Sequence, residues 1–421
     1  MSVPDGSSLT ASVDDHPRVG SRMFASFRYR RFRQLWVSNL FFFGGVWTQT
    51  LVLGWLVYEV TGSEFLMAVF TAVRLAPMML GPISGAVSDR FHRPTLLLVA
   101  SGWALLVIVV VAILVSTGHI TYLGLVAAGL AVGLAQSPSQ PARSTLVLDY
   151  VGRESLSNAN ALNAIVMNMS QVLGPAAGGA MIAIFGAAGA LWICAGWYLV
   201  SLLALWPLRH TATDTVAATG VAFRRMLVEG ARAVLANRLA SAVLLITFMA
   251  NVLLWPVYQA FMPVFAKEGL GLDADGLGWL LTCSGIGGLV GSLVIARLGD
   301  FRRKGGMFVI GTALWGVLWV AFAASSSVPL SFALMVGIGL TSSAFAVLQT
   351  TLMLMLSEPR VQGRVLGIQE LAIGVMPLAT IVMGIIAESV GVGPVALVSG
   401  TVLVLFMGVV AARVPRLLRY G

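Results

Sequence analysis

The chain has 421 residues, 58% of them hydrophobic and only 10% charged, against roughly 25% charged in an ordinary soluble domain. No soluble core of this size hides that much apolar surface, and the mean hydropathy of +0.91 and recurrent apolar runs mark a polytopic membrane protein. The net charge of +9 would suit nucleic acid, but the basic residues are placed for another purpose.

Residues 1–26 are polar, rich in Ser and Asp, and lack an apolar stretch. They read as a solvated cytoplasmic tail with no signal peptide. Apolar runs then predict helices at 33–59, 64–88, 95–116, 121–146, 158–185 and 188–208. Six more are predicted at 240–266, 275–298, 306–324, 329–356, 364–387 and 392–412. The expected fold is therefore an all-α membrane protein of twelve transmembrane helices. One six-helix bundle spans 27–208 and a second spans 240–413, with 414–421 as a cytoplasmic C-terminal tail.

The segment 209–239 joins the bundles. Its front, TATDTVAATG, is a flexible linker. From Phe223 onward, Phe223, Leu227, Val234 and Leu235 oppose Arg224, Arg225, Arg232 and Arg238. That pattern predicts an amphipathic helix on the inner membrane surface. With the N-terminus inside, 24 of the 26 basic residues fall in tails, inner loops or inner helix ends, leaving Lys267 outside and Arg74 within helix 2. Such a bias predicts that both termini are cytoplasmic. The charge holds loops against the inner leaflet, and no nucleic-acid partner is implied.

The two bundles repeat one plan. GAVSDRFHRP at 85–94 recurs as ARLGDFRRKG at 296–305, an offset of 211 that also carries Arg153 onto Arg364. Duplicated bundles of membrane helices are a recurring architecture of secondary transporters. Catalytic signals are missing. Cys194 and Cys283 are isolated, and His16, His92, His119 and His210 fall in loops or tails. No metal site, cofactor site, nucleophile–base arrangement or phosphate-cradling loop is expected.

Gly85, Asp89, Arg90 and Arg93 match a G-x-x-x-D-R-x-x-R pattern, which resembles motif A of the major facilitator superfamily. With Trp47-Thr-Gln, GWLVYEVTGS at 54–63, PAR at 141–143 and NANAL at 158–162, the chain resembles the branch that contains enterobactin-exporter-like and drug or metabolite antiporters. The resemblance implies the major facilitator fold of two six-helix pseudo-repeats. It also implies a monomeric carrier in the bacterial cytoplasmic membrane, which exports an amphipathic small molecule in exchange for protons. The alternatives are a proton-coupled importer of a metabolite and, more remotely, a membrane-embedded enzyme or receptor.

Gating residues are expected in two places. Asp89 ends helix 2, where it can accept from the free N–H groups of a neighbouring helix start; the family puts helix 11 there. Arg90 and Arg93 can pair with Asp149 or Glu154, latching the cytoplasmic side, or can simply obey the positive-inside rule. GPAAGG at 174–179 resembles the antiporter motif C, although Ser170 stands where the longer pattern has its first glycine. Gly174 and Gly178 share a face, Gly287 and Gly291 do the same on helix 8, and the family brings these helices together across the halves. Pro175 predicts a bend.

Polar residues at membrane depth usually face an internal cavity. Asn251, Trp255, Tyr258 and Gln259 form one stripe on helix 7. Asn160, Asn163, Met167 and Gln171 form another on helix 5. Helix 1 offers Asn39, Trp47 and Thr50, and helix 10 offers Ser342, Ala346, Gln349 and Met353. The family lines its cavity mainly with helices 1, 4, 7 and 10, so substrate contacts are expected there, with interhelical hydrogen bonding the alternative for Thr50 and Ser342. Arg74 and Glu370 are the charges well inside the membrane. A carboxylate at that depth can take up and release a proton as its surroundings change, which makes Glu370 the candidate proton-coupling residue. Arg74 is its expected partner, in coupling or as a structural pair. Helix 1 carries no mid-membrane acid, and Glu59 lies at its outer end.

Overall fold

The computed structural model describes residues 25–80, 91–211, 223–298, 301–358 and 361–421, and among these it contains helices and turns but no strand. Backbone groups have no water to bind inside a bilayer, so each apolar run closes its own hydrogen bonds as a helix. In chain order the helices of the first bundle are α1 (Arg30–Thr61), α2 (Glu64–Leu75, tightening to a 3-10 turn over Ala76–Leu80), α3 (Arg93–Ser116), α4 (122–151), α5 (153–185) and α6 (187–205). The second bundle holds α7 (Arg238–Gly269), α8 (Ala274–Leu298), α9 (Lys304–Ala323), α10 (Val328–Met355), α11 (Gln362–Val390) and α12 (Val392–Arg413). Ten segments among the described residues are long and apolar enough to span a membrane. Counting α2, and counting Asn158–Leu208 as two passes, gives the expected twelve.

Glycine makes the corners between α4, α5 and α6, which follow one another without a loop. Gly152 (φ 68°) and Gly186 (φ 70°) adopt backbone conformations that an L side chain resists. Helix 4 therefore runs past its expected end at 146. The chain stays helical through Pro175, so the bend expected there does not interrupt α5. α7 does loosen: beyond Leu253 it passes through π-helical turns at Val257–Phe261 and Phe265–Gly269, beside Pro256 and Pro263. Each proline removes a backbone donor from the ladder.

Within the first bundle, α1 packs on α4, α5 and α6, and α3 on α4. In the second, α10 packs on α8 and α9, and α12 on α9. The bundles meet along two seams, α5 with α8 and α2 with α11. The expected amphipathic helix is present as Phe223–Ala236. It packs on the first turns of α11, where Glu229 pairs with Arg364 at 2.7 Å, and a Cβ on Gly230 would lie 2.5 Å from the Arg364 carbonyl. The C-terminal residues dock on the start of α9, with the Gly305 N–H donating to the Tyr420 carbonyl at 2.9 Å.

Candidate functional site

The α5–α8 seam is close at one end and opens at the other. A Cβ on Gly179 would lie 2.5 Å from the Ala274 carbonyl, and one on Gly278 would lie 2.7 Å from the Pro175 carbonyl. Thr282 Oγ1 then donates to the Val172 carbonyl at 3.1 Å. Past Gly285 the helices part around a cavity of about 80 Å³. α5 contributes Asn168, Gln171 and Val172; α7 contributes Trp255 and Tyr258; α8 contributes Ser284, Leu289 and Ser292. Trp315 of α9 and Ser342 of α10 complete the wall, and no lining side chain is charged. Trp255 meets Tyr258 (5.8 Å, 87°) and Trp315 (5.7 Å, 70°) edge to face, the arrangement that ring quadrupoles favour.

Of the expected substrate contacts, Gln171, Trp255 and Tyr258 come together here. Asn39, Trp47, Thr50, Asn163, Asn251, Gln259 and Gln349 do not line the cavity. Asn39 Nδ2 donates to Asn163 Oδ1 at 2.6 Å, and Asn39 Oδ1 accepts from Arg143. Asn251 Nδ2 donates to the Thr247 carbonyl of its own helix at 2.9 Å. Thr50 donates to the Val46 carbonyl at 2.7 Å and accepts from Arg74 Nη1 at 3.0 Å. The cause lies in the glycines. Gly174 and Gly178 face Trp47, Thr48 and Leu51 of α1, drawing α1 onto α5 and closing the face that carried the expected contacts. They do not face α8, as expected; Gly179 and Pro175 do. Likewise Gly287 and Gly291 pack on Val336, Leu340 and Ser343 of α10 within the second bundle.

Asn168, Ser284, Ser292 and Trp315 were missed. Ser284 opens the run SGIGGLVG (284–291) and Ser292 follows it, and a glycine run marks where helices approach or part. α9 was outside the expected lining helices, so nothing singled out Trp315.

Arg93 Nη1 pairs with Asp149 Oδ2 at 2.9 Å, as the sequence expected. Both belong to the first bundle, so this pair ties α3 to α4 rather than one bundle to the other. Asp89 and Arg90 lie outside the described residues. Arg74 and Glu370 do not pair. Gly374 lies against Met79. Arg74 sits five residues along α2 on one side of that level, and Glu370 four along α11 on the other. At 1.5 Å per residue they are about 13 Å apart along the helices. Glu370 is exposed, on one stripe with Gly363, Gly367 and Gly374.

Arg143, grouped by sequence with the inner helix ends, is 1% exposed inside the first bundle. Its Nη1 donates to Ser38 Oγ at 3.2 Å and to Asn39 Oδ1, its Nη2 donates to Ser101 Oγ at 3.4 Å, and its guanidinium lies 4.0 Å from the Phe42 ring centroid. Hydroxyl, amide and ring thus take the place of a carboxylate.

The bundles also hold each other at the end away from the basic loops. The Glu388 carboxylate of α11 accepts from Ser63 Oγ at 3.0 Å and from the Phe65 N–H at 2.9 Å, capping the start of α2. Tyr58 of α1 donates to Glu268 of α7, and Gly384 lies on Ala68. One end is thus latched while the cavity opens toward the other.

The profile of the transmembrane secretion effector family matches residues 21–418. The chain belongs to this family. It is a multi-pass membrane transporter of the major facilitator type, and its relatives are transporters rather than enzymes. The multidrug efflux pump Tap of Mycolicibacterium fortuitum is 26% identical over 373 residues, covering 86% of this chain and 90% of the pump. The staphyloferrin A transporter of Staphylococcus aureus is 21% identical, covering 84% and 89%. Among solved structures, the nucleoside transporter NupG (D323A mutant) superposes with a TM-score of 0.74 at 14% identity, over 91% of this chain and 100% of that one. A bacterial homologue of the lysosomal transporter Spinster, inward-facing and unoccupied, gives 0.71 at 13% identity over 93% and 99%. The fold of this chain is therefore the major facilitator fold.

Proposed function

We propose that this protein is a monomeric, proton-coupled exporter that moves an amphipathic small molecule out of the bacterial cytoplasm by alternating access. The observation that carries this reading is the uncharged aromatic and amide cavity between the bundles, latched at one end and open toward the other. Under the positive-inside rule the open end faces the cytoplasm, with both termini on that side, so the cavity stands ready to load from within. The efflux pump among the relatives supports the outward direction. Gln171, Trp255 and Tyr258 contact the substrate, joined by Asn168, Trp315 and the serines. Asp89, Arg90 and the Arg93–Asp149 pair stiffen or latch the cytoplasmic end. Gly174 and Gly178 seat α5 on α1, and Pro175 meets α8 at the seam.

Glu370 couples transport to protons. It lies on an open glycine stripe of α11, where rocking of the bundles changes its access to water, and a carboxylate moved between wet and dry surroundings changes its proton affinity. Arg74 acts through Thr50 instead of as its partner. Substrate-driven proton movement in proteoliposomes tests this. Glu370→Gln should abolish it while substrate exchange survives, whereas parental proton flux in that variant removes Glu370 from the coupling mechanism.

A further inference from the structure

Three carboxylates, drawn from both bundles, meet where the outer ends close. Glu64 opens α2 of the first bundle, while Glu268 ends α7 and Glu388 lies in the last turn of α11 in the second. Two of them are held across the bundles: Glu268 accepts from Tyr58, and Glu388 from Ser63 and the Phe65 N–H. Glu64 accepts from the Val392 N–H of α12, but its Oε2 is buried with no hydrogen-bond partner. Glu268 and Glu388 both repel its charge, and Glu64 and Glu268 line one recess of about 250 Å³. The neighbouring cation does not offset this, since Lys267 Nζ lies 5.7 Å from the ring centroids of Trp55 and Tyr58 and makes no ion pair among the described residues. The start of α2 offers little more, because Glu388 takes the Phe65 N–H and Ser63 Oγ takes the Leu66 N–H. Of the other titratable groups here, Glu59 is exposed at the end of α1, and Tyr122 of α4 donates to the Leu66 carbonyl at 3.0 Å.

We infer that this outer latch is operated by protons: Glu64 takes up one proton from the outer solution as the bundles close here and returns it to the same side as they open. An ionised carboxylate with a buried, unpartnered oxygen costs more than a neutral one, and two like charges beside it add to that cost. Opening removes both penalties, because it returns Glu64 to water and carries Glu268 and Glu388 away with the second bundle. The sign follows from linkage: the state that binds the extra proton gains as pH falls. For one proton the closed-to-open ratio changes at most about tenfold per pH unit. External acidity thus favours the state whose cavity faces the cytoplasm. The inference rests on the reading that the bundles rock apart at this end, and it is independent of Glu370 as the coupling residue.

The test uses the full-length protein in lipid nanodiscs, with Cys194 and Cys283 replaced by Ala. Spin labels at Thr117 and Ser326, exposed at the outer ends of opposite bundles, report the separation by pulsed electron paramagnetic resonance. In the parent the short-distance population should rise as the pH falls from about 8 to about 5. Glu64→Gln cannot ionise and should hold that population high at every pH. Glu370→Gln should keep the parental response. Glu268→Gln removes one of the two repelling charges and should move the midpoint of the response to lower pH. A parental pH response in Glu64→Gln, or its loss in Glu370→Gln, overturns the inference. If Glu64→Gln does not fold, Glu268→Gln decides, and an unmoved midpoint there overturns it. A parental distribution that ignores pH overturns the latch alone; if Gly278→Ala, which wedges the α5–α8 seam, also leaves the distribution unchanged, the rocking of the bundles falls with it.

Discussion

Gly278→Ala should shift the balance between the two transport states without unfolding either bundle. The added methyl would lie 2.7 Å from the Pro175 carbonyl, and ordinary contact begins at 3.4 Å, so α5 and α8 must part by about 0.7 Å. The atoms the methyl would meet on α5, the Pro175 carbonyl oxygen and the Gly179 Cα, are backbone and cannot rotate away. Overpacking of this kind costs about 1–3 kcal/mol. The strain exists only while this end of the seam is closed, so it disfavours that state by roughly 5- to 150-fold. Spin labels at Glu59 and Asp273, on a background with Cys194 and Cys283 replaced by Ala, report the separation of these ends by pulsed electron paramagnetic resonance. The short-distance population should fall in Gly278→Ala. Gly311→Ala is the control, since its methyl meets Ala344 at the same 2.7 Å but inside the second bundle; it should lower the melting temperature and leave the distances alone. A parental distance distribution in Gly278→Ala would refute the argument that this seam closes and opens.

Glu388→Gln removes the charge that caps the start of α2 across the bundles, an interaction worth about 0.3–1 kcal/mol at a helix end. Amide exchange at residues 63–68 should quicken severalfold, and unchanged exchange would mean that the cap does not hold this end closed. Arg143→Leu leaves Ser38, Asn39 and Ser101 short of a donor inside the first bundle, which should cost about 1–3 kcal/mol and lower the melting temperature; an unchanged transition would contradict a structural role. Glu229→Gln breaks the 2.7 Å pair with Arg364, leaving a half-exposed contact that contributes at most about 1 kcal/mol. The variant should show near-parental melting with faster amide exchange over Phe223–Ala236, and unchanged exchange there would contradict docking of the connecting helix on α11.

The helices were legible because lipid enforces long apolar runs, and the runs were read to within a few residues at most ends. Gly152 and Gly186 show the limit: their positive φ joins α4, α5 and α6 without a break, and hydropathy cannot distinguish a glycine corner from a loop. The cavity was legible in part. Stripes at helical spacing brought Gln171, Trp255 and Tyr258 to one cavity wall, because polar and aromatic residues on one face share a neighbour. The same periodicity does not say which neighbour. Asn39, Asn163 and Thr50 sit on stripes as good, but the small Gly174 and Gly178 draw α1 onto α5, where Asn39 meets Asn163 and Arg143, while Thr50 meets Val46 and Arg74. Arg143 was counted as topogenic because a basic residue near a helix end ordinarily is, and its partners come from α1 and α3. The Arg74–Glu370 pair failed on depth, since adjacency of two helices does not fix the level of residues on each.

The most direct test of proton-driven export is uptake into everted membrane vesicles that contain the protein. A fluorescent amphiphile such as 3-hydroxyflavone is added outside, and the vesicle interior is acidified. Accumulation should rise above that of vesicles with Glu370→Gln and should collapse when nigericin dissipates the pH difference. Accumulation that is indifferent to nigericin, or equal in both sets of vesicles, would contradict proton-driven export.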